Sequence, residues 1–171
     1  MGDEMFEKSL LIKTKEGFGF RNITDTIEFF VEGSGVDFGS CHIWSVHTTC
    51  ALIIEENQEA LMNDYLSLFR TIKSIGEKNG HMHTNTDKTT RRVAGFCHDC
   101  KDCSDCERRN AAAHIISSLL GKQKILQISG GKLTLGKYQN VIFIDFDGGQ
   151  ERFLNIQIYG YDETSRILHL L

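Results

Sequence analysis

Proline is missing from all 171 residues, so the chain must turn on its 16 glycines and on Asn and Asp rather than on pyrrolidine rings. Long apolar runs are missing too. No stretch approaches the roughly 20 residues of a membrane-spanning helix, and the N-terminus, Met1-Gly2-Asp3-Glu4, is acidic and carries no apolar segment of signal-peptide length. These absences predict a cytoplasmic protein with no membrane partner. Nor is there an excess of positive charge. A formal net charge of -4 at pH 7 gives no general attraction to nucleic acid or anionic lipid, so no nucleic-acid partner is expected. The local pairs Arg91-Arg92 and Arg108-Arg109 could still hold a phosphate. The glycine-rich phosphate loop of the Walker type is absent, and so are internal repeats and low-complexity segments.

What remains is an ordinary globular composition, with 40% hydrophobic and 25% charged residues, at a length that suits one domain spanning residues 1–171. Alternation predicts a strand over Phe6 to Thr14, ending at Glu16-Gly17. Thr24 and Asp25 cap a short helix through Val31 that Gly33 and Gly35 stop. Cys41 to Ile54 reads as one strand with Ser45, His47, Thr49 and Ala51 on one face, and Asn57 to Ile75 as an amphipathic helix. The apolar period then vanishes, leaving a Cys/His-rich loop at about 76–109. Asn110 caps a helix over Ala111 to Leu120 that stops at Gly121. A meander of strands follows: Lys124 to Ser129, Lys132 to Leu135, Val141 to Asp147 and Phe153 to Tyr159. Helices interleaved with antiparallel strands make the class α+β.

Chemistry concentrates on histidines. His47 stands beside the hydroxyls of Thr48 and Thr49, where an imidazole can move a proton or bind a metal, although a single strand histidine is commonly structural. His114 follows Asn110 and three alanines, which leave it room to project from a helix start that favours anions. Two imidazoles and a third ligand are the usual minimum for an open divalent metal site, zinc or magnesium, and His98 is the best third ligand. His81 and His83 lie in a polar stretch that reads as solvated. Among the strand-end carboxylates Glu55, Glu56, Asp145 and Asp147, Asp145 stands out as a charge inside an apolar run, placed to orient a histidine or to act as a base.

Cys97, Cys100, Cys103 and Cys106, four of the six cysteines, form a Cys-x2-Cys-x2-Cys-x2-Cys run. Two-residue spacers let thiolates converge on one soft ion. Zinc, an iron–sulfur cluster and a loop of reduced thiols all stay open, although no proline follows the run as in ferredoxins.

The ordered string His47-Thr48-Thr49, Asn110 with His114, Ser118-Leu119-Leu120-Gly121, Gly131-Lys132-Leu133-Thr134-Leu135-Gly136-Lys137-Tyr138-Gln139 and Phe146-Asp147-Gly148 resembles the YjbQ family from about Leu10 to Gly160. The resemblance implies a sandwich-like arrangement of sheets with packed helices, assembled as a homotrimer. It implies family histidines at His47, His98 and His114, and secondary thiamine-phosphate synthase activity: hydroxymethylpyrimidine pyrophosphate joined to a thiazole phosphate with release of pyrophosphate. Arg108, Arg109 and Lys122 would then help hold this small phosphorylated metabolite. The family's histidine before a Glu-Gly-Asn step has no direct counterpart in Cys106-Glu107-Arg108-Arg109-Asn110, so either His98 or Cys106 fills that slot. Tyr138 replaces a usual tryptophan, and Asp145 a usual glutamate. The alternatives to the synthase are a metal-dependent hydrolase of a small molecule and a non-catalytic trimer that holds a metal or metabolite.

Overall fold

Two antiparallel sheets face each other in the computed structural model, which describes residues 5–84, 90–100 and 109–161. The larger sheet takes β1 (Met5–Lys13), β10 (Glu151–Gly160), β3 (Phe38–Ser45), β7 (Gln123–Ser129) and β8 (Lys132–Leu133), in that spatial order. The smaller takes β2 (Gly19–Asn22), β9 (Asn140–Asp145) and β4 (Cys50–Glu55). Three helices complete the α+β domain: α1 (Thr24–Ser34), α2 (Glu59–Asn79) and α3 (Ala111–Leu120).

Side-chain alternation sorts the residues into three layers. Inward residues of the large sheet, Ile12, Ile43, Leu154, Ile156 and Ile158, meet Leu52, Val141 and Phe143 of the small sheet, with Ile27 and Val31 of α1 closing the same core. The opposite face of the small sheet, Ala51, Ile53, Ile142 and Ile144, packs on Met62 of α2 and on Ala113 and Ile116 of α3. Strand β9 is therefore covered on both sides, which is why its sequence is a continuous apolar run rather than an alternation.

Several expectations need correction. The run from Cys41 to Ile54 is two strands in different sheets, because the chain leaves the large sheet after Ser45 and re-enters the small one at Cys50. The backbone N–H of Ser45 donates to Lys122 O at 2.9 Å and that of His47 to Ser45 Oγ at 3.2 Å, which diverts the strand. His47 lies in this crossover and not on a strand face. The C-terminal strands are no meander either: β9 pairs with β2 and β4, whereas β10 pairs with β1 and β3. At the start of α1 the capping oxygen is Asn22 Oδ1, which accepts from the Thr24 N–H at 3.0 Å.

The described part of the stretch at about 76–109 is more ordered than its polarity predicts. Helix α2 runs on to Asn79, β5 (His81–Thr84) pairs with β6 (Thr90–Val93), and a 3-10 turn covers Cys97–Asp99. Gly76 is a packing position rather than a helix stop. A Cβ there would lie 2.5 Å from the Phe96 ring, and Gly76 O accepts the Gly95 N–H at 3.0 Å. The chain just before His98 is thereby tied to α2.

Candidate functional site

The apolar run of β9 ends at Asp145, whose side chain points between the sheets like Phe143 and Val141 two and four residues earlier. Opposite it, Arg152 takes the first inward position of β10, where Leu154 and Ile156 follow. Both are buried, and the pair is bidentate: Arg152 Nε donates to Asp145 Oδ2 at 2.7 Å and Nη2 to Oδ1 at 3.1 Å. The Thr14 hydroxyl donates to Oδ2 at 2.8 Å and the Asp147 N–H to Oδ1 at 3.0 Å. With no solvent exposure and donors on both oxygens, Asp145 serves as an anchor for its surroundings.

The anchor shapes the turn after β9. Arg152 Nη2 also donates to Asp147 O at 2.6 Å. Gly148 abuts the segment before β2 so closely that a Cβ would lie 2.0 Å from Lys15 O. Held in this way, the Asp147 carboxylate accepts Asn110 Nδ2 at 2.7 Å, and Asn110 Oδ1 lies 3.1 Å from His98 Nε2. Asn110 stands at the N-cap of α3 as predicted, but its side chain bonds these two partners rather than the helix. The ring of His98 meets that of His114 edge-on, with centroids 4.9 Å apart. Ala111, Ala112 and Ala113 are buried, so the start of α3 sits tightly on the sheet and turns His114 toward His98.

His47 approaches the same end from the crossover. Its Nε2 accepts the Phe153 N–H at 2.9 Å, at the point on β10 where β3 has run out. A neutral ring with an accepting Nε2 carries its proton on Nδ1. Partial burial lowers the pKa of His47, the Arg152 guanidinium lowers it further, and Asp145 opposes them.

The structure thus brings together His98, Asn110, His114 and Asp147 and joins them through Arg152 to Asp145, with His47 beside that ion pair. Thr48 is exposed in the crossover turn, Arg109 is exposed just before Asn110, and Lys122 is half-buried after α3. Cys97 is exposed and Cys100 buried on the 3-10 turn that carries His98. Cys103, Cys106 and Arg108 lie outside the described residues. Of the two residues considered for the family slot, His98 lies at Asn110, and Cys106 lies outside the described residues. Among the described residues no three His, Cys, Asp or Glu side chains stand together as a metal centre. His47 keeps one ring nitrogen on Phe153 and the proton on the other, which does not fit a three-histidine centre as it stands. Arg92 donates from Nε to Asn79 O at 2.7 Å, closing the end of α2.

The sequence pattern starts the last strand at Phe153 and so leaves out Arg152, whereas the strand begins at Glu151. The signal of Arg152 was a charge on the apolar period of β10, the same signal that singled out Asp145.

Fold and site together define a single-domain α+β protein of two antiparallel sheets with a histidine-lined polar end. The chain belongs to the UPF0047 YjbQ-like family, whose model matches residues 8–161. It is similar to a UPF0047 protein of Archaeoglobus fulgidus, 30% identical over 84% of this chain and 93% of the relative. The UPF0047 protein YugU of Bacillus subtilis is 28% identical over 90% of this chain and 98% of its own length. Among solved structures, a YbjQ-like protein of unknown function from Sulfolobus solfataricus P2 has a TM-score of 0.73 at 27% identity and covers 94% of this chain and 100% of its own. Among the described residues no helix is long and apolar enough to cross a membrane.

Proposed function

We propose that the chain is an enzyme whose histidine-lined end acts on a small phosphorylated metabolite, with thiamine phosphate formation as its reaction. In that reaction the bond between the pyrimidine methylene carbon and a pyrophosphate oxygen breaks, and the electron pair leaves with pyrophosphate. The thiazole nitrogen lone pair then forms the new carbon–nitrogen bond. The protein's task is to receive the departing charge and to orient two rings. The observation that carries the reading is the joined set His98, His114, Asn110 and Asp147 at the start of α3.

His47 Nδ1–H, the start of α3, Arg109 and Lys122 are the donors for phosphate oxygens. A divalent cation, magnesium or zinc, would neutralise pyrophosphate charge when bound with it. Purified protein given both substrates and magnesium should form thiamine phosphate, and His114→Ala should lower kcat by about 100-fold, the scale of a lost group that stabilises departing charge. Equal rates in wild type and variant rule the synthase out.

The close His98–His114 pair also favours a second reading, a metal-dependent hydrolase. Turnover of simple phosphate esters with zinc or manganese, without a pyrophosphorylated substrate, would select it. Tight ligand binding without product would select a non-catalytic trimer. The cysteine run is proposed as a separate metal site: Cys97 and Cys100 share one turn, closed by a Cys100 N–H to Cys97 O bond of 3.1 Å. Elemental analysis should find metal in the reduced wild type and lose it in Cys97→Ser/Cys100→Ser. For the proposed homotrimer, Leu11 and Phe153, directly paired and 42% and 44% exposed on the outer face of the large sheet, offer apolar contact area. Sedimentation should return three chains.

A further inference from the structure

We infer that Asp147 is a positioning residue that acts through Asn110 to hold the neutral His98 ring with its proton on Nε2 and its lone pair on Nδ1. A carboxylate has acceptors only, so the Asn110 group facing Asp147 Oδ2 at 2.7 Å must be the NH2. The other end of the same planar amide is then the carbonyl oxygen, 3.1 Å from His98 Nε2. A carbonyl oxygen accepts only, so Nε2 must donate, and in the neutral ring Nδ1 is left as the basic atom. This order of polarity starts at the one group in the chain of contacts that cannot reverse. The carboxylate itself is held by its own backbone, whose N–H goes to Asp145 Oδ1 and whose carbonyl receives Arg152 Nη2.

His47 is set the opposite way, because the Phe153 N–H takes its Nε2 lone pair and leaves Nδ1–H as the donor. The two rings therefore offer different chemistry through the same atom: His98 Nδ1 accepts a proton or a hydrogen bond, and His47 Nδ1–H gives one. That opposition rests on and deepens the proposed function, which needs hydrogen-bond donors for phosphate oxygens at this end and orients them one ring at a time. Its test reads ring nitrogens and not turnover, so the two ideas fail separately.

The experiment is nitrogen NMR of the full chain with isotope-labelled histidine, at a pH above the imidazole titration range. His98 is assigned by its loss in His98→Gln. Wild type should show a protonated Nε2 and an unprotonated Nδ1 for His98, and the reverse for His47. Asp147→Ala should move the His98 pair toward the mixed tautomers of a solvent-exposed ring. Asp147→Asn keeps the shape but not the fixed polarity, since its amide can present either end to Asn110, so it should loosen the wild-type pair as well. A wild-type His98 protonated on Nδ1 overturns the inference, and so does an Asp147→Ala spectrum unchanged at His98 in a protein with native circular dichroism. If Asp147→Ala fails to fold, Asn110→Ala cuts the same link away from the turn. Mixed tautomers there support the inference, and a retained single tautomer ends it.

Discussion

Strands β9 and β10 are joined by one short turn, yet the molecule treats them differently. Every residue from Val141 to Asp145 is buried, because the small sheet is covered by the large sheet on one face and by α2 and α3 on the other. Along β10, exposed or half-buried residues alternate with buried ones from Glu151 to Ile158, because among the described residues no layer lies over the outer face of the large sheet. Where the two strands meet, each places a charge on its inward face, Asp145 and Arg152. The lesson is that this site grows from the end of the doubly covered strand. A dry, fixed platform stops there, and a buried ion pair carries the constraint outward to Asp147, Asn110 and His98.

The largest expected effect comes from breaking that pair. Arg152→Leu leaves the Asp145 charge buried without its partner and should destabilise by roughly 3–5 kcal/mol. The outward Ile125→Thr, at a position 63% exposed, should stay within about 0.5 kcal/mol. Urea midpoints of the two variants check the contrast. Equal losses would mean that the two faces of the large sheet are not distinguished as described.

A smaller effect is expected at the far support of the site. Gly76→Ala pushes the Phe96 ring away from α2 and should cost about 1–3 kcal/mol, the range for overpacking. It should also shift the His98 signals while leaving those of His47 in place. If His47 moves equally, the Phe96 contact is not a local support.

Two milder predictions follow from the ionisation states. Cys41 and Cys50 are buried thiols pushed up to about 12, by burial first and, for Cys50, by the Asp145 charge as well. Cys97 is exposed. With metal removed by a chelator, a thiol-reactive dye should therefore label Cys97 in the folded protein and reach Cys41 and Cys50 only on unfolding. His47, whose folded pKa is lowered by burial and by Arg152, favours the neutral ring. The unfolded chain takes up its proton near the usual value of about 6.5, before the folded chain does. This contribution to stability is therefore complete above about 6.5 and is lost as pH falls from there toward the folded midpoint. The loss should be small, and it should disappear in His47→Gln when urea midpoints are followed across that range.

Helices α2 and α3 and the stop at Gly121 were legible because an amphipathic period and a capping position report local structure directly. The crossover at His47 was not. Alternation continues through Val46 to Thr49, and only the pairing of Ser45 with Lys122, distant in sequence, reveals that the chain changes sheets. His98 was legible as a residue near the helix start, but its partner was not, since the Asn110 side chain reaches past the helix to the Asp147 carboxylate. Arg152 was not legible, because the sequence pattern starts this strand at Phe153, two residues after its first residue, Glu151, and so leaves out the counter-charge of Asp145.

Under the proposed function, ligands bind where the covered strand ends. Histidine NMR during addition of inorganic pyrophosphate tests it most directly, because the probe carries the phosphate chemistry without needing turnover. Shifts confined to His47, His98 and His114, with His42 on the outer face of the large sheet unmoved, are the predicted result. Binding that moves His42 and leaves those three in place would contradict it.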